Sequence, residues 1–273
     1  MVCLQSEGAL RPFFCIHPAG GTVFCYRRLA ESLGRQRPFY ALQAVGVDGV
    51  RMPLQSIEEM AVHYAQTIRA AQRHGPYYLG GWSLGGNLAF ETARCLTAQG
   101  EQVALLALFD SAALQPDRAP DQRAFLPLVM DFFPDEENLP LETLQAMAWH
   151  EQLEYFVQRA GQAEIVMAGA DFVAGRHVFE VFRANMQAII AYRQKSYAGR
   201  LLLFAAQHDA ALFSAAQQQD FGWGRWAEGG VEVHRVEGNH VRLVLDPHVT
   251  ALAARLNECL AQADCGAPPY VTE

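Results

Sequence analysis

The chain has 273 residues, 51% of them hydrophobic and 18% charged, with a formal net charge of −8 at pH 7. This balance is typical of a globular protein with a large apolar core, and the scattered, net acidic charge argues against nucleic acid as a partner. No apolar run approaches the length of a membrane span, residues 1–10 lack a secretory signal pattern, and the six cysteines form no CxxC pair. We therefore expect a cytoplasmic protein with no membrane partner and with thiols that act as small hydrophobic residues.

Short apolar runs alternate with amphipathic stretches along the chain, which predicts a parallel sheet flanked by helices. Several runs are almost entirely apolar, as strands covered on both faces must be. One α/β domain spanning residues 1–273 accounts for the whole pattern. The predicted strands are Phe13–Ile16, Phe39–Ala44, Tyr77–Gly80, Val103–Phe109, Leu201–Ala205 and Val231–Val236.

The clearest helix pattern begins at Ser56, a good N-cap residue, with Glu59 three positions later as its partner in a capping box. The helix is predicted to stop before residues 74–76, His-Gly-Pro, because glycine and proline break helices. Between these signals, apolar residues recur at helical spacing, at Ile57, Met60, Ala61, Tyr64 and Ile68.

A last helix is predicted near the C-terminus, with Asp246 as its N-cap and Pro247 in its first turn. Residues 266–273 are expected to form a frayed tail or part of a linker. The buried stripe of this helix is predicted at Val249, Leu252, Leu256 and Leu260.

The regular alternation is interrupted between Asp110 and Leu201. About 90 residues separate them, where a single crossover needs roughly 30. The excess, about residues 116–198, contains apolar-rich segments that are typical of helices. A helical insertion beside the functional edge of a sheet predicts a lid over a pocket.

Residues 81–85, Gly-Trp-Ser-Leu-Gly, carry the strongest local signal. They follow a predicted strand and precede a predicted helix, which is the context of a nucleophile elbow. Small residues at 81 and 85 allow a sharp turn that lifts the Ser83 hydroxyl to the start of a helix, where negative charge is stabilised. The sequence therefore predicts that Ser83 is a nucleophile.

A serine hydroxyl needs a base, and in a fold of this kind the histidine comes late in the chain. His240 follows the last predicted strand on a loop, at the same sheet edge as Ser83, and is predicted to be the base. His17 precedes a proline, His234 lies within a predicted strand and His248 lies within the predicted last helix. These three histidines are predicted to have structural roles.

Two carboxylates stand at the C-terminal tips of neighbouring strands. Asp110 ends the strand after the elbow, and Asp209 follows the next strand along the chain. Either could orient His240 and stabilise its cation. The residues by themselves leave the choice between them open.

Acyl transfer also needs two backbone donors for the negative oxygen of the tetrahedral intermediate. The amide of Leu84, directly after the nucleophile, is predicted to be one of them. The other is predicted at Ala19, in the loop 17–21, His-Pro-Ala-Gly-Gly, whose glycines permit close approach of the backbone to a ligand. Trp82, adjacent to the nucleophile, is predicted to form part of the wall of a substrate pocket.

Taken together, these motifs resemble those of the thioesterase domains that end nonribosomal peptide and polyketide assembly lines, the type I thioesterases of the α/β-hydrolase superfamily. The loop 17–21 and the elbow 81–86 carry most of the resemblance. Further similar segments follow in order and extend the likeness over residues 12–260, at Phe39–Gln43, Ser56–Met60, Leu108–Ser111 and Gly238–His240.

The resemblance implies an α/β-hydrolase fold with a helical lid, and it favours Asp110 over Asp209 as the acid. It also implies a substrate, an acyl or peptidyl chain on the 4'-phosphopantetheine arm of a carrier-protein domain, with no cofactor or metal bound by the chain itself. Ser83 would take the chain as an ester, and water or an internal nucleophile would release it. Asn239 departs from the pattern, since many relatives have an acidic residue there.

Three other functions compete with this interpretation. A stand-alone type II editing thioesterase usually has a Gly-His-Ser-Met-Gly elbow, from which Trp82 and Leu84 depart. A general carboxylesterase or lipase would cleave simple oxygen esters without preference for a pantetheine thioester. A non-catalytic binding module would have lost the nucleophile or the base, whereas Ser83 and His240 are both present.

Overall fold

The computed structural model describes residues 1–114, 140–148, 151, 155, 172–207, 219–266 and 270. Within those ranges the strands are β1 (Val2–Gln5), β2 (Phe13–Ile16), β3 (Phe39–Leu42), β4 (Tyr77–Trp82), β5 (Val103–Phe109), β6 (Leu201–Ala206) and β7 (Val231–Val236). The helices are α1 (Arg27–Leu33), α2 (Ile57–Ala71), α3 (Leu84–Ala98), α4 (Leu141–Ala146), α5 (Phe172–Ala191) and α6 (His248–Gly266).

The seven strands form one sheet in the order β1-β3-β2-β4-β5-β6-β7. Strand β1 is antiparallel to β3, and every other neighbouring pair is parallel. Every residue of β2, β4 and β6 is buried, as expected for parallel strands covered on both faces. Because the strands are parallel, the loops that follow β2, β4, β5 and β7 all emerge at the same edge of the sheet.

Helices cover both faces of this sheet. One apolar layer contains the buried residues of α2, α3 and the end of α5, and the other contains those of α1 and α6. The two layers take alternate residues of the strands, since successive side chains of a strand point to opposite faces. This confirms the predicted α/β-hydrolase architecture, a mostly parallel sheet flanked by helices.

All six predicted strands are present, three with the predicted bounds and three with a C-terminal end that shifts by one or two residues. Strand β3 stops at Leu42, whereas β4 continues to Trp82 and β6 to Ala206. Strand β1, with four residues, was not predicted. Its pairing with β3 is a contact between separate segments at the edge of the sheet, and its partly exposed residues lack the continuous apolar pattern of the equally short β2.

The predicted start of α2 is confirmed, because the Ser56 hydroxyl accepts a hydrogen bond from the Glu59 amide at 3.2 Å. The return bond of the capping box differs from the expectation, since the Glu59 carboxylate accepts from the Gln55 amide at 3.3 Å. The predicted buried residues of this helix are all buried, at Ile57, Met60, Ala61, Tyr64 and Ile68.

The last helix begins at His248, so the N-cap role predicted for Asp246 is wrong. The Asp246 carboxylate instead lies 3.3 Å from the Arg28 guanidinium of α1. The helix extends to Gly266, the first residue assigned to the frayed tail. Its predicted stripe is confirmed, because the side chains at Val249, Leu252, Leu256 and Leu260 are buried.

The predicted insertion at residues 116–198 is described only in part. Its described residues contain α4 and α5, and its other residues, including the greater part of the predicted lid, lie outside the described ranges. No helix in the part of the chain that the structure describes is both long and apolar enough to cross a bilayer.

Candidate active site

Ser83 occupies the sharp turn between β4 and α3. Its backbone has φ 58° and ψ −127°, a positive-φ conformation that residues other than glycine seldom adopt. The Ser83 amide donates to the Phe109 carbonyl at 3.0 Å and holds the turn to β5. A Cβ on Gly81 would lie 2.1 Å from the Gly85 carbonyl oxygen, so only glycine fits there. The chain thus forms the strand, turn and helix that the elbow pattern predicts.

Asp110 directly follows β5 and contacts His240 in the loop after β7. Asp110 Oδ2 and His240 Nδ1 are 2.7 Å apart. The other carboxylate oxygen, Oδ1, accepts a hydrogen bond from the Ala206 amide at 2.8 Å, so both oxygens have partners. Both side chains are nearly completely buried, at 2% and 9% exposure, and a low local dielectric strengthens their interaction. Asp209, the other candidate acid, lies outside the described residues.

This contact determines where the imidazole carries its proton. A carboxylate only accepts hydrogen bonds, so Nδ1 of neutral His240 must be the protonated nitrogen. The lone pair of the ring is then on Nε2. A neutral histidine whose Nδ1–H is held by a buried carboxylate is oriented to accept a proton at Nε2.

Trp82 supports the His240 loop from within the core. Its Nε1 donates to the His240 carbonyl at 2.9 Å, and the two rings lie 5.3 Å apart. The Trp82 side chain is 2% exposed and packs in the same apolar layer as α1 and α6. The predicted place of Trp82 on the wall of a substrate pocket stays a prediction. Trp82 is the last residue of β4, and the alternation of side chains directs its ring into the core.

Sequence reasoning missed Tyr26, which joins two strands beneath the site. Its hydroxyl donates to the Ile16 carbonyl at 2.6 Å and accepts from the Trp82 amide at 2.9 Å. These bonds hold the C-terminal ends of β2 and β4 together, next to the loop 17–21 and the elbow. Tyr26 and Trp82 are 56 positions apart in the chain, so no local sequence pattern around Tyr26 predicts their contact.

The segment after Asp110 is held by two further side chains that sequence reasoning missed. Trp223 Nε1 donates to the Ser111 carbonyl at 2.6 Å, and Asn87 Nδ2 lies 3.2 Å from the Ser111 hydroxyl oxygen. A Cβ on Gly86 would lie 2.4 Å from that oxygen, so the first turn of α3 packs directly on this segment. These contacts fix the backbone that carries Asp110, which has φ 45°.

The loop after β2 forms a closed turn at the same edge. The Gly21 amide donates to the Pro18 carbonyl at 2.9 Å, and the Ala44 amide donates to the Gly21 carbonyl at 2.9 Å. Ala19 lies within this turn. Leu84 is the first residue of α3, where helix amides have no partner within the helix. Because β2 and β4 are adjacent in the sheet, both predicted donors lie at neighbouring strand ends.

His234 and His248 make structural contacts. His234 Nδ1 accepts a hydrogen bond from Arg255 Nε at 3.0 Å, and its ring stacks on Phe204 at 5.0 Å. His248 is the first residue of α6. These contacts agree with the structural roles assigned from the sequence. Among the described residues, no group of three or more His, Cys, Asp or Glu side chains could hold a metal ion.

His17 is completely buried between the loop after β2 and helix α2. Its Nδ1 lies 2.8 Å from the Pro18 carbonyl oxygen, and its Nε2 lies 2.5 Å from the Tyr64 hydroxyl. Since a carbonyl only accepts, Nδ1 is the donor and Nε2 accepts from Tyr64. Desolvation lowers the pKa of His17 from 6.5 to about 4, against a smaller opposing effect of the Pro18 carbonyl. His17 is therefore neutral near pH 7.

We expect His17 to make the fold less stable in mild acid. Its pKa is lower in the folded state than in the unfolded state, so the unfolded chain binds more protons between pH 6.5 and 4. This stabilisation is complete above pH 6.5 and is lost as the pH falls. It decreases by about 2 kcal/mol between pH 7 and pH 5. Urea unfolding at both pH values should show a loss in the wild type that His17→Gln reduces by that amount. An equal loss in both proteins would contradict the assignment.

The chain is similar in sequence to known proteins over most of its length. The family model "Thioesterase domain" matches residues 11–260. A dimodular nonribosomal peptide synthase of Bacillus subtilis is 31% identical over 242 residues, which cover 87% of this chain and 10% of that protein. Microperfuranone synthase of Emericella nidulans is 32% identical over 267 residues, which cover 89% of this chain and 27% of that protein. The chain thus spans a small part of these relatives.

Solved structures show the same fold. A four-domain nonribosomal peptide synthetase, bound to AMP and glycine, matches with a TM-score of 0.80 and 25% identity over 94% of this chain and 20% of that chain. The NocB thioesterase domain from the nocardicin cluster matches with a TM-score of 0.66 and 24% identity over 93% of this chain and 95% of that chain. Because the family model covers most of its length, the chain belongs to the thioesterase domain family.

Proposed function

We propose that the chain is a releasing thioesterase, which takes an acyl or peptidyl chain from the phosphopantetheine thioester of a carrier protein onto Ser83. The observation that carries this proposal is the 2.7 Å contact between His240 and Asp110, at the sheet edge where Ser83 leaves β4. Membership of the thioesterase domain family supports a thioester substrate. A nucleophile, a base and an oriented acid are then assigned to Ser83, His240 and Asp110.

In the first half of the reaction, Ser83 Oγ attacks the carbonyl carbon of the thioester. Its proton passes to His240 Nε2, and the Asp110 carboxylate stabilises the imidazolium that forms. The carbon–sulfur bond then breaks, and the pantetheine thiolate takes the proton from His240. The products are a free carrier thiol and an acyl ester on Ser83.

Two backbone amides stabilise the oxygen that becomes negative during this attack. We assign them to Leu84, whose amide has no partner within α3 because it begins the helix, and to Ala19 in the turn after β2. The α3 N-terminus adds its positive end at the same point. Removal of one such donor in a serine hydrolase costs about 10²–10³ in kcat.

In the second half of the reaction, a nucleophile attacks the ester on Ser83. Water gives a free acid, and an amine or hydroxyl of the bound chain gives a macrocyclic amide or ester. In either case His240 takes a proton from the nucleophile and returns it to Ser83 Oγ as the ester bond breaks. Release by hydrolysis or by cyclisation depends on access of water to the pocket.

The proposed partner is an acyl or peptidyl carrier-protein domain. This chain spans 10% and 27% of the two synthases named above, so those proteins contain much additional sequence. A matching structure is a four-domain nonribosomal peptide synthetase. A domain of this family in such a context receives its substrate on a pantetheine arm, which requires no cofactor bound by the thioesterase itself.

Intact-protein mass spectrometry after mixing with acyl-pantetheine thioesters tests the proposal. We expect a mass increase equal to the acyl group in the wild type and none in Ser83→Ala, because only the serine oxygen can form the ester. Circular dichroism of the Ser83→Ala variant should show that the fold is retained. Analysis of the released products then separates hydrolysis from cyclisation.

The alternative functions are distinguished when simple oxygen esters and misprimed carrier proteins are assayed beside the pantetheine thioesters. Cleavage of simple oxygen esters without any reaction of thioesters would indicate a general esterase. Preferential removal of short acyl groups from misprimed carrier proteins would indicate an editing thioesterase. Labelling that persists in Ser83→Ala would exclude Ser83 as the nucleophile.

A further inference from the structure

Helix α5 of the insertion lies directly against the turn formed by residues 18–21. Asn185 Nδ2 donates to the Ala19 carbonyl at 2.8 Å, and the Asn185 side chain is 1% exposed. Four residues earlier on the same face of the helix, Val181 packs against Gly21. A Cβ on Gly21 would lie 2.5 Å from Val181 Cγ1. The insertion is therefore part of the immediate surroundings of this turn.

The C-terminal end of α5 is in turn attached to the body of the domain. The Tyr192 hydroxyl donates to Glu91 Oε2 of α3 at 2.5 Å, and Arg94 Nη1 lies 3.1 Å from Glu91 Oε1. The Leu114 amide donates to the Gln194 side chain at 2.9 Å, which joins the two ends of the inserted segment. These bonds place α5 relative to α3, the helix that begins at the elbow.

A hydrogen bond to the Ala19 carbonyl restrains the whole turn. The carbonyl belongs to the peptide plane that follows Ala19, and the Ala19 amide belongs to the plane that precedes it. The bond from Gly21 to Pro18 is internal to the turn and holds the plane that carries the Ala19 amide, but it does not attach the turn to α5. The bond from Asn185 makes that attachment through the next plane. A buried carbonyl that lost its donor would move towards another partner, because an unpaired buried acceptor is costly. Because Ala19 joins the two planes, this movement would shift the turn relative to α5 and carry the Ala19 amide with it.

We infer that Asn185 is a positioning residue for the oxyanion hole, acting through the carbonyl of Ala19. The inference rests on the proposed function, in which the Ala19 amide stabilises the negative oxygen. Asn185 does not touch the reacting atoms. It holds the donor in place before the substrate arrives, as preorganised electrostatic stabilisation requires.

The test compares Asn185→Ala and Asn185→Leu with Gln187→Ala, a change at an exposed residue of the same helix. Leucine has nearly the shape of asparagine but no hydrogen-bond donor, so it reports on the lost donor even where the alanine variant fails to fold. The first readout is kcat and KM for a pantetheine thioester. The second is the rate at which a fluorophosphonate modifies Ser83, measured by intact mass, since its P=O oxygen occupies the same donor site.

We expect both Asn185 variants to lower kcat about 10- to 100-fold, somewhat less than removal of a donor itself, with KM changed less than about threefold. Fluorophosphonate labelling should slow by a similar factor, and Gln187→Ala should match the wild type in both assays. A purely structural role would lower the melting temperature but leave kcat and the labelling rate unchanged at 20 °C, and this result would overturn the inference.

Failure of the proposed function can be distinguished from failure of the role inferred for Asn185. Absence of Ser83-dependent labelling in the wild type would overturn both that function and the role of Asn185. If the wild type is labelled at Ser83 and both Asn185 variants are labelled at the same rate, only the role of Asn185 would be overturned.

Discussion

Asp110→Asn should lower the kcat for thioester turnover by about 10³–10⁴-fold while the fold is retained. The Ala206 amide needs an acceptor, so the amide oxygen of the new side chain takes the position of Oδ1. The NH₂ group then faces His240 Nδ1, which must accept instead of donate. The proton of the imidazole moves to Nε2, and the ring can no longer take a proton from Ser83.

Asp209→Asn is the matched control, because the sequence places that carboxylate at the tip of the following strand. We expect it to retain most of the activity. Steady-state kinetics with one pantetheine thioester, together with thermal melting of each variant, make the comparison. If Asp209→Asn lost far more activity than Asp110→Asn, the acid would have to be reassigned to Asp209.

Gly85→Ala should destabilise the domain by about 3 kcal/mol or prevent its folding. A Cβ at this position would lie 2.3 Å from the Ile16 carbonyl oxygen and 2.9 Å from the His17 carbonyl oxygen. Both atoms belong to backbone, which cannot move aside as a flexible side chain can. The start of α3 would therefore be pushed away from β2, and the proposed donors at Leu84 and Ala19 would separate.

Gly20→Ala is the control for stability, since a Cβ there would meet nothing within 4 Å and its φ is not positive. Its free energy of unfolding should stay within about 0.5 kcal/mol of the wild type. Urea denaturation of the three proteins measures the difference. Equal stability of Gly85→Ala and the wild type would show that the close packing of α3 on β2 is not required.

Features that depend on neighbouring residues were predictable from the sequence. Strands β2, β4 and β6 are apolar because they are buried on both faces, and helix α2 combines an N-cap at Ser56 with a regular buried stripe. The elbow at residues 81–85 was predictable from the sequence, because the tight turn permits only glycine at positions 81 and 85. Strand β1 was not predicted, because its four residues are recognised as a strand only from their pairing with β3.

The sequence by itself thus determined the fold class, the elbow that presents Ser83 and the late loop that carries His240. Only the tertiary structure showed that the Asp110 carboxylate contacts His240, because the two residues are 130 positions apart in the chain. It also showed that Trp82 Nε1 donates to the His240 carbonyl and that Asn185 Nδ2 donates to the Ala19 carbonyl, 166 positions away in the chain. Local patterns encode turns, caps and buried faces. Contacts between distant segments depend on how the strands and helices pack, and a single sequence does not record that packing.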